Sequence, residues 1–187
     1  MSILVGLIRD KKCYIGADSI AVLGDSKRTN KDGKLFKLGN RMLVGFSGSY
    51  RAAQVVKHSI KLPSDRKINS DPFQFIMHDF IPTVRNVLSE NECIYMGTEE
   101  TERFAVSFII GYKGRLFTVL SDFGVTEVDD SFTAIGCNHE YAIGAMKAYE
   151  KAGLLKKNKP FDILRDVLDI VNDYSVYVKG PYLFDSV

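Results

Sequence analysis

The chain predicts an α+β fold, a four-layer αββα sandwich of two antiparallel sheets with helix pairs on both outer faces. Three observations carry this. Apolar residues recur with period two in three groups, near the start, across residues 103–136 and at the end of the chain. Between those groups the period changes to that of a helix, twice in each gap. Turn signals sit between neighbouring strands, which makes the pairings hairpins and the sheets antiparallel. A sheet must cover both faces, so strand groups separated by helix pairs stack with the helices outside. One domain over residues 1–187 is expected from the length.

Residues 2–9 and 12–19 are apolar runs of strand length joined by Asp10-Lys11, a first hairpin. Residues 24–33 are polar, with Gly, Asp and Asn, and are expected to form a loop. Residues 34–38 and 41–47 flank Gly39-Asn40, a dipeptide that accepts positive φ at little cost, and form a second hairpin. Ser49 opens a helix whose apolar residues Ala53, Val56 and Ile60 recur at helix spacing until Pro63. Residues 64–70 are a short polar connection. Ser70 or Asp71 caps the next helix, with Pro72 in its first turn, and Pro82 should kink or divide it.

From Arg103 the strand period returns. Residues 104–112 and 116–120 flank Lys113-Gly114, and residues 125–128 and 132–136 continue the sheet. A helix opens at Asn138 or His139 and stops at Gly153. After a lysine-rich loop, Pro160 leads into a helix with Ile163, Leu164, Val167, Leu168, Ile170 and Val171 on its apolar face. Residues 174–178 and 182–184 read as two short strands.

Composition narrows the function. The 25 basic and 23 acidic residues are interspersed and leave a net charge of +2, so no broad patch for nucleic acid or an acidic membrane is expected. The three cysteines (Cys13, Cys93, Cys137) are far apart and odd in number, against both a disulfide framework and a cysteine zinc site. His58, His78 and His139 lack metal-ligand spacing and read as structural or surface residues. No cofactor or metal is expected. No run approaches the roughly 18 to 20 apolar residues of a membrane span, and the start lacks the pattern of a signal peptide, so a cytoplasmic location is expected.

The chemistry points to the first fifty residues. Ser2, Asp18 and Lys34 lie at nearly equal intervals at the ends of successive apolar runs, so adjacent strands bring a hydroxyl, a carboxylate and an amine to one point. A serine hydroxyl needs a base within hydrogen-bond reach, and the developing oxyanion needs backbone N–H donors. An N-terminal serine carries its own base: removal of Met1 frees an α-amine with a reference pKa of about 7.7 to 8.0. Lys34, held by Asp18, then supplies a fixed positive charge. Gly45 is expected to leave its N–H open to a substrate carbonyl. Taken singly each residue has an ordinary explanation: serine after methionine is common, Asp18 suits a strand end and Lys34 a surface. The joint spacing singles them out.

Ser2-Ile-Leu-Val-Gly, Gly16-Ala-Asp18-Ser, Gly33-Lys34-Leu-Phe-Lys and Val44-Gly45-Phe-Ser-Gly48, in that order, resemble the proteasome β-subunit family, including the HslV-type peptidases. These belong to the N-terminal-nucleophile hydrolases. The resemblance implies the same αββα sandwich, with Ser2 at the family's catalytic threonine, Asp18 at its aspartate and Lys34 at its lysine. It further implies a polypeptide substrate, a homo-oligomeric ring enclosing the sites and an AAA+ ATPase partner. Gly136-Cys137-Asn138 stands where the family usually has Gly-Ser-Gly, whose serine helps to position the nucleophile's amine. Cys137 is a weaker hydrogen-bond group there, and packing at a strand-to-helix turn also explains it. Asp173 falls at the family's second aspartate, while Ser175 is one residue short of the serine that usually follows. The leading expectation is therefore a threonine-type endopeptidase using serine. The alternatives are an amidohydrolase for small amides and an inactive assembly subunit.

Overall fold

The computed structural model describes residues 2–23, 25–62, 71–98 and 100–187; of Leu23 only the backbone is described. The expected connection over residues 64–70 lies outside them. Strands β1 (Ile3–Arg9) and β2 (Lys12–Ala17) form the first hairpin, flanked by β12 (Phe132–Gly136) and β13 (Leu183–Ser186) in the order β12-β1-β2-β13. Strands β5 (Leu35–Leu38), β6 (Met42–Gly48), β9 (Val106–Tyr112), β10 (Arg115–Val119) and β11 (Val125–Glu127) form the second sheet, in the order β11-β10-β9-β6-β5. Every pairing in both sheets is antiparallel.

Helices α1 (Tyr50–Ser59), α2 (Pro72–Phe75) and α3 (Ile81–Glu90) cover the second sheet, and α4 (His139–Lys151) and α5 (Pro160–Tyr174) cover the first. Helices α1, α2, α3 and α5 start where the sequence provides a cap or a proline. The Ser49 hydroxyl accepts the Ala52 N–H at 3.3 Å, and the Asp71 carboxylate accepts from Phe73 at 2.9 Å. Pro160 occupies the first turn of α5, where its missing N–H costs nothing. Helices α2 and α3 are continuous through a π-helical turn, Ile76–Phe80, that closes with the Ile81 N–H on the Ile76 carbonyl. The widened turn lies just before Pro82, which has no N–H to give; the expected interruption takes this form rather than a break.

Four layers result, with three apolar seams. Between the sheets lie Leu4, Cys13, Ile15, Leu43, Ile109, Leu116 and Ile135. Glycines set how closely the sheets approach: a methyl group on Gly45 would stand 2.3 Å from Leu4, and one on Gly6 2.6 Å from Ile109. Side chains at those two positions would hold the layers apart.

Three expectations differ from the structure. Within residues 24–33, β4 (Ser26–Thr29) pairs with β3 (Ile20–Leu23) as an exposed ribbon. All four β4 residues face solvent, so no apolar alternation marks the strand. A second small ribbon joins β7 (Ile94–Met96) to β8 (Glu102–Phe104), beginning ahead of Arg103, where the strand period is expected to return. Residues 174–178 form no strand, and only β13 closes the first sheet. Among the described residues no helix is long and apolar enough to cross a membrane.

Leu43 is fully buried between the sheets. Leu43→Ala should cost about 2–5 kcal/mol in urea unfolding with secondary structure retained. A loss under about 1 kcal/mol would contradict a packed seam between the layers.

Candidate active site

Ser2 is buried at the start of β1, between the end of β12 and the end of β2. Its carbonyl accepts the Cys137 N–H at 2.7 Å and the Ser47 hydroxyl at 3.4 Å. The next N–H, that of Ile3, donates to Asp18 Oδ1 at 2.9 Å. The peptide plane after Ser2 is thus held from both sides.

Asp18 follows the last residue of β2, and Lys34 precedes the first residue of β5. Both side chains are 0% exposed. Lys34 Nζ donates to both Asp18 oxygens at 2.8 Å and to the Ile20 carbonyl at 2.7 Å. Three acceptors use all three hydrogens of an ammonium, so in this geometry Lys34 is charged and has no lone pair to offer as a base. Burial pushes the Asp18 carboxyl above the usual carboxylate range and the Lys34 amine below its usual value, and each partner's charge opposes the other's shift.

Ser2, Asp18, Lys34 and Cys137 are therefore brought together. Gly45 and Asp173 are not. Phe46 donates its N–H to the Lys34 carbonyl at 3.1 Å, so even-numbered N–H groups of β6 face β5. By that alternation the Gly45 N–H faces Ile109 of β9, its register partner, and is spent in the ladder. The expected opening to a substrate carbonyl is absent at Gly45. Gly48 has the parity that Gly45 lacks: its N–H points to the Lys34 side, and the β5–β6 register ends at Leu35–Gly45, short of it. Its φ of +122° and a Cβ position 2.4 Å from the Ala105 carbonyl exclude any side chain. The signal lay in the register, two residues beyond the partner of Lys34.

Asp173 lies in the last turn of α5 and is exposed, while Val171 on the same turn is buried. Ser175, just beyond the helix, is buried instead, and its hydroxyl donates to Asn138 Oδ1 at 2.8 Å. That bond occupies the side chain that would otherwise cap α4, and Asn138 stands at φ 56°. Ser175 and Asn138 thus brace the turn that presents the Cys137 N–H to Ser2. The helix end shifts the useful side chain by two residues from the expected one. Met1 lies outside the described residues, and so does the expected step that removes it.

The chain matches the family model described as Proteasome subunit over residues 2–177. Its fold is similar to that of Thiobacillus denitrificans BPH in complex with epoxomicin (18% identity, 99% of this chain and 97% of that one, TM-score 0.78). It is also similar to eukaryotic HslV from Trypanosoma brucei (17% identity, 98% of each chain, TM-score 0.69). Anbu, an ancestral β-subunit from Yersinia bercovieri, is similar at 16% identity over 99% of this chain and 81% of that one, TM-score 0.68. At these identities the structural likeness establishes the fold. No curated protein matches the chain.

Neutralising one partner of a buried ion pair leaves the other charge uncompensated. Lys34→Met alone should therefore cost about 3–5 kcal/mol in denaturant unfolding, and adding Asp18→Asn should recover most of that loss. Additive losses would show that the two groups are not coupled.

Proposed function

The chain belongs to the proteasome subunit family, and from that premise we propose that it is an N-terminal-nucleophile peptidase with Ser2 as nucleophile. The observation that carries this reading is the placement of Ser2 beside a buried carboxylate–ammonium pair whose ammonium has every hydrogen engaged. Lys34 then acts as a fixed positive field. The base has to come from elsewhere, and the α-amine of Ser2, freed by removal of Met1, is the group at hand. The amine takes the hydroxyl proton as Oγ attacks the peptide carbonyl. The Gly48 N–H receives the oxyanion. Collapse breaks the C–N bond, the leaving amine takes the proton held by the α-amine, and water then cleaves the ester with the same amine as base. Cys137 acts through its N–H on the Ser2 carbonyl, a positioning contact that does not require the hydroxyl found in relatives.

Assembly is part of the proposal. Tyr141, Ile170, Tyr174, Val176 and Tyr177 are exposed apolar residues at the α4–α5 end of the molecule, with the Tyr141 and Tyr174 rings 5.5 Å apart. A face of that kind suits contact with further copies, in a ring that restricts access to unfolded chains. An ATPase that delivers such chains is the corresponding partner.

A second reading, an inactive assembly subunit, draws on the thiol at Cys137 and the solvent-facing Asp173. One experiment separates the two. Protein from its native host is incubated with epoxomicin, the compound bound to the Thiobacillus protein, and its intact mass and adduct position are measured. A mass lacking methionine and an adduct on Ser2 are expected, and Ser2→Ala should take no adduct and lose at least about 10³-fold in peptide hydrolysis. Retained methionine without an adduct selects the inactive reading.

A further inference from the structure

Beside Ser2, on the side away from Asp18, a cleft of about 260 Å³ opens between the ends of β6, β9 and β10 and the strand β12. Its lining includes the hydroxyl residues Ser47, Ser107, Thr118 and Thr133, with Gly136 and His139 at one end. His139 Nδ1 lies 3.0 Å from the Gly136 carbonyl and 3.6 Å from Glu140 Oε2. Both neighbours only accept, so Nδ1 carries the hydrogen and Nε2 is the nitrogen left for a ligand. Gly136 can stand here only as glycine, because a Cβ would lie 2.0 Å from the Ser2 carbonyl oxygen. The cleft therefore shares a wall with the nucleophile.

We propose that this cleft receives the residue immediately after the scissile bond and selects a polar side chain there. The inference rests on the peptidase reading and adds a specificity to it. An extended substrate crossing Ser2 runs between two flanks. On the Asp18 flank, the β3–β4 ribbon offers a strand edge along which several residues can pair, which suits the part that stays bound as the ester. On the other flank the cleft has room for about one residue and offers hydroxyls, which suits a fragment that departs. Filling it with an apolar side chain displaces water from four hydroxyls and an imidazole without replacing their bonds. Serine, threonine, asparagine and glutamine can both donate and accept, so they satisfy the imidazole in either protonation state.

The test is a digest of a mixture of denatured proteins, with cuts mapped by mass spectrometry and the Ser2→Ala chain as blank. Threonine should follow the cut about 3–10-fold more often than its near-isostere valine, the effect of one hydrogen bond in a partly buried cleft. Thr118→Val and His139→Phe, made separately, should each lower that ratio while the residue preferred before the cut stays the same. Cuts that depend on Ser2 but show a threonine-to-valine ratio near one, or a ratio that neither variant changes, overturn the cleft's role and leave the peptidase reading standing. Absence of any cut that depends on Ser2 overturns both.

Discussion

The contact between Asp18 and Lys34 is the constraint on which the site depends. Two opposite charges without solvent are expensive to bury, and they persist only where geometry and hydrogen bonds compensate for lost water. Here the carboxylate receives the ammonium and the Ile3 N–H, and the ammonium spends its last hydrogen on Ile20. The pair therefore ties together the start of β1, the end of β2, the entry to β3 and the entry to β5. Those four chain segments form the floor on which Ser2 rests.

The sandwich makes this possible at modest cost because strand ends, unlike strand middles, retain unspent backbone groups. On the first sheet the free end of β12 turns its Cys137 N–H to Ser2. On the second, β6 outruns β5 and leaves the Gly48 N–H beyond the ladder. Both sheets also come close enough to share a seam because Gly6 and Gly45 place no side chain between them. Packing thus sets the distance at which polar groups of one sheet can act on residues of the other.

Much of this was legible in the sequence, and what was not has identifiable causes. The layer order follows from the switch of apolar period, and the nearness of Ser2, Asp18 and Lys34 from strand lengths alone. The β3–β4 ribbon is not legible because Ser26 to Thr29 bury nothing and carry no pattern. Gly45 and Gly48 both end an apolar run, and only pairing parity, a tertiary property, distinguishes them. Asp173 and Ser175 differ in the same manner: the first still belongs to the helix and points to water, the second has left it and turns inward. His139 belongs to no motif, and its bond to Gly136 depends on a left-handed turn at Asn138 that nothing in the sequence requires.

The seating of β1 also bears on how the proposed nucleophile would be freed. Ser2 is 2% exposed, and Ile3 is paired to Gly136 and bonded to Asp18 within the same sheet. An aminopeptidase must draw an extended terminus into its own cleft, which the finished sheet does not release. For the proposed peptidase, removal of Met1 would therefore have to come before β1 pairs with its neighbours.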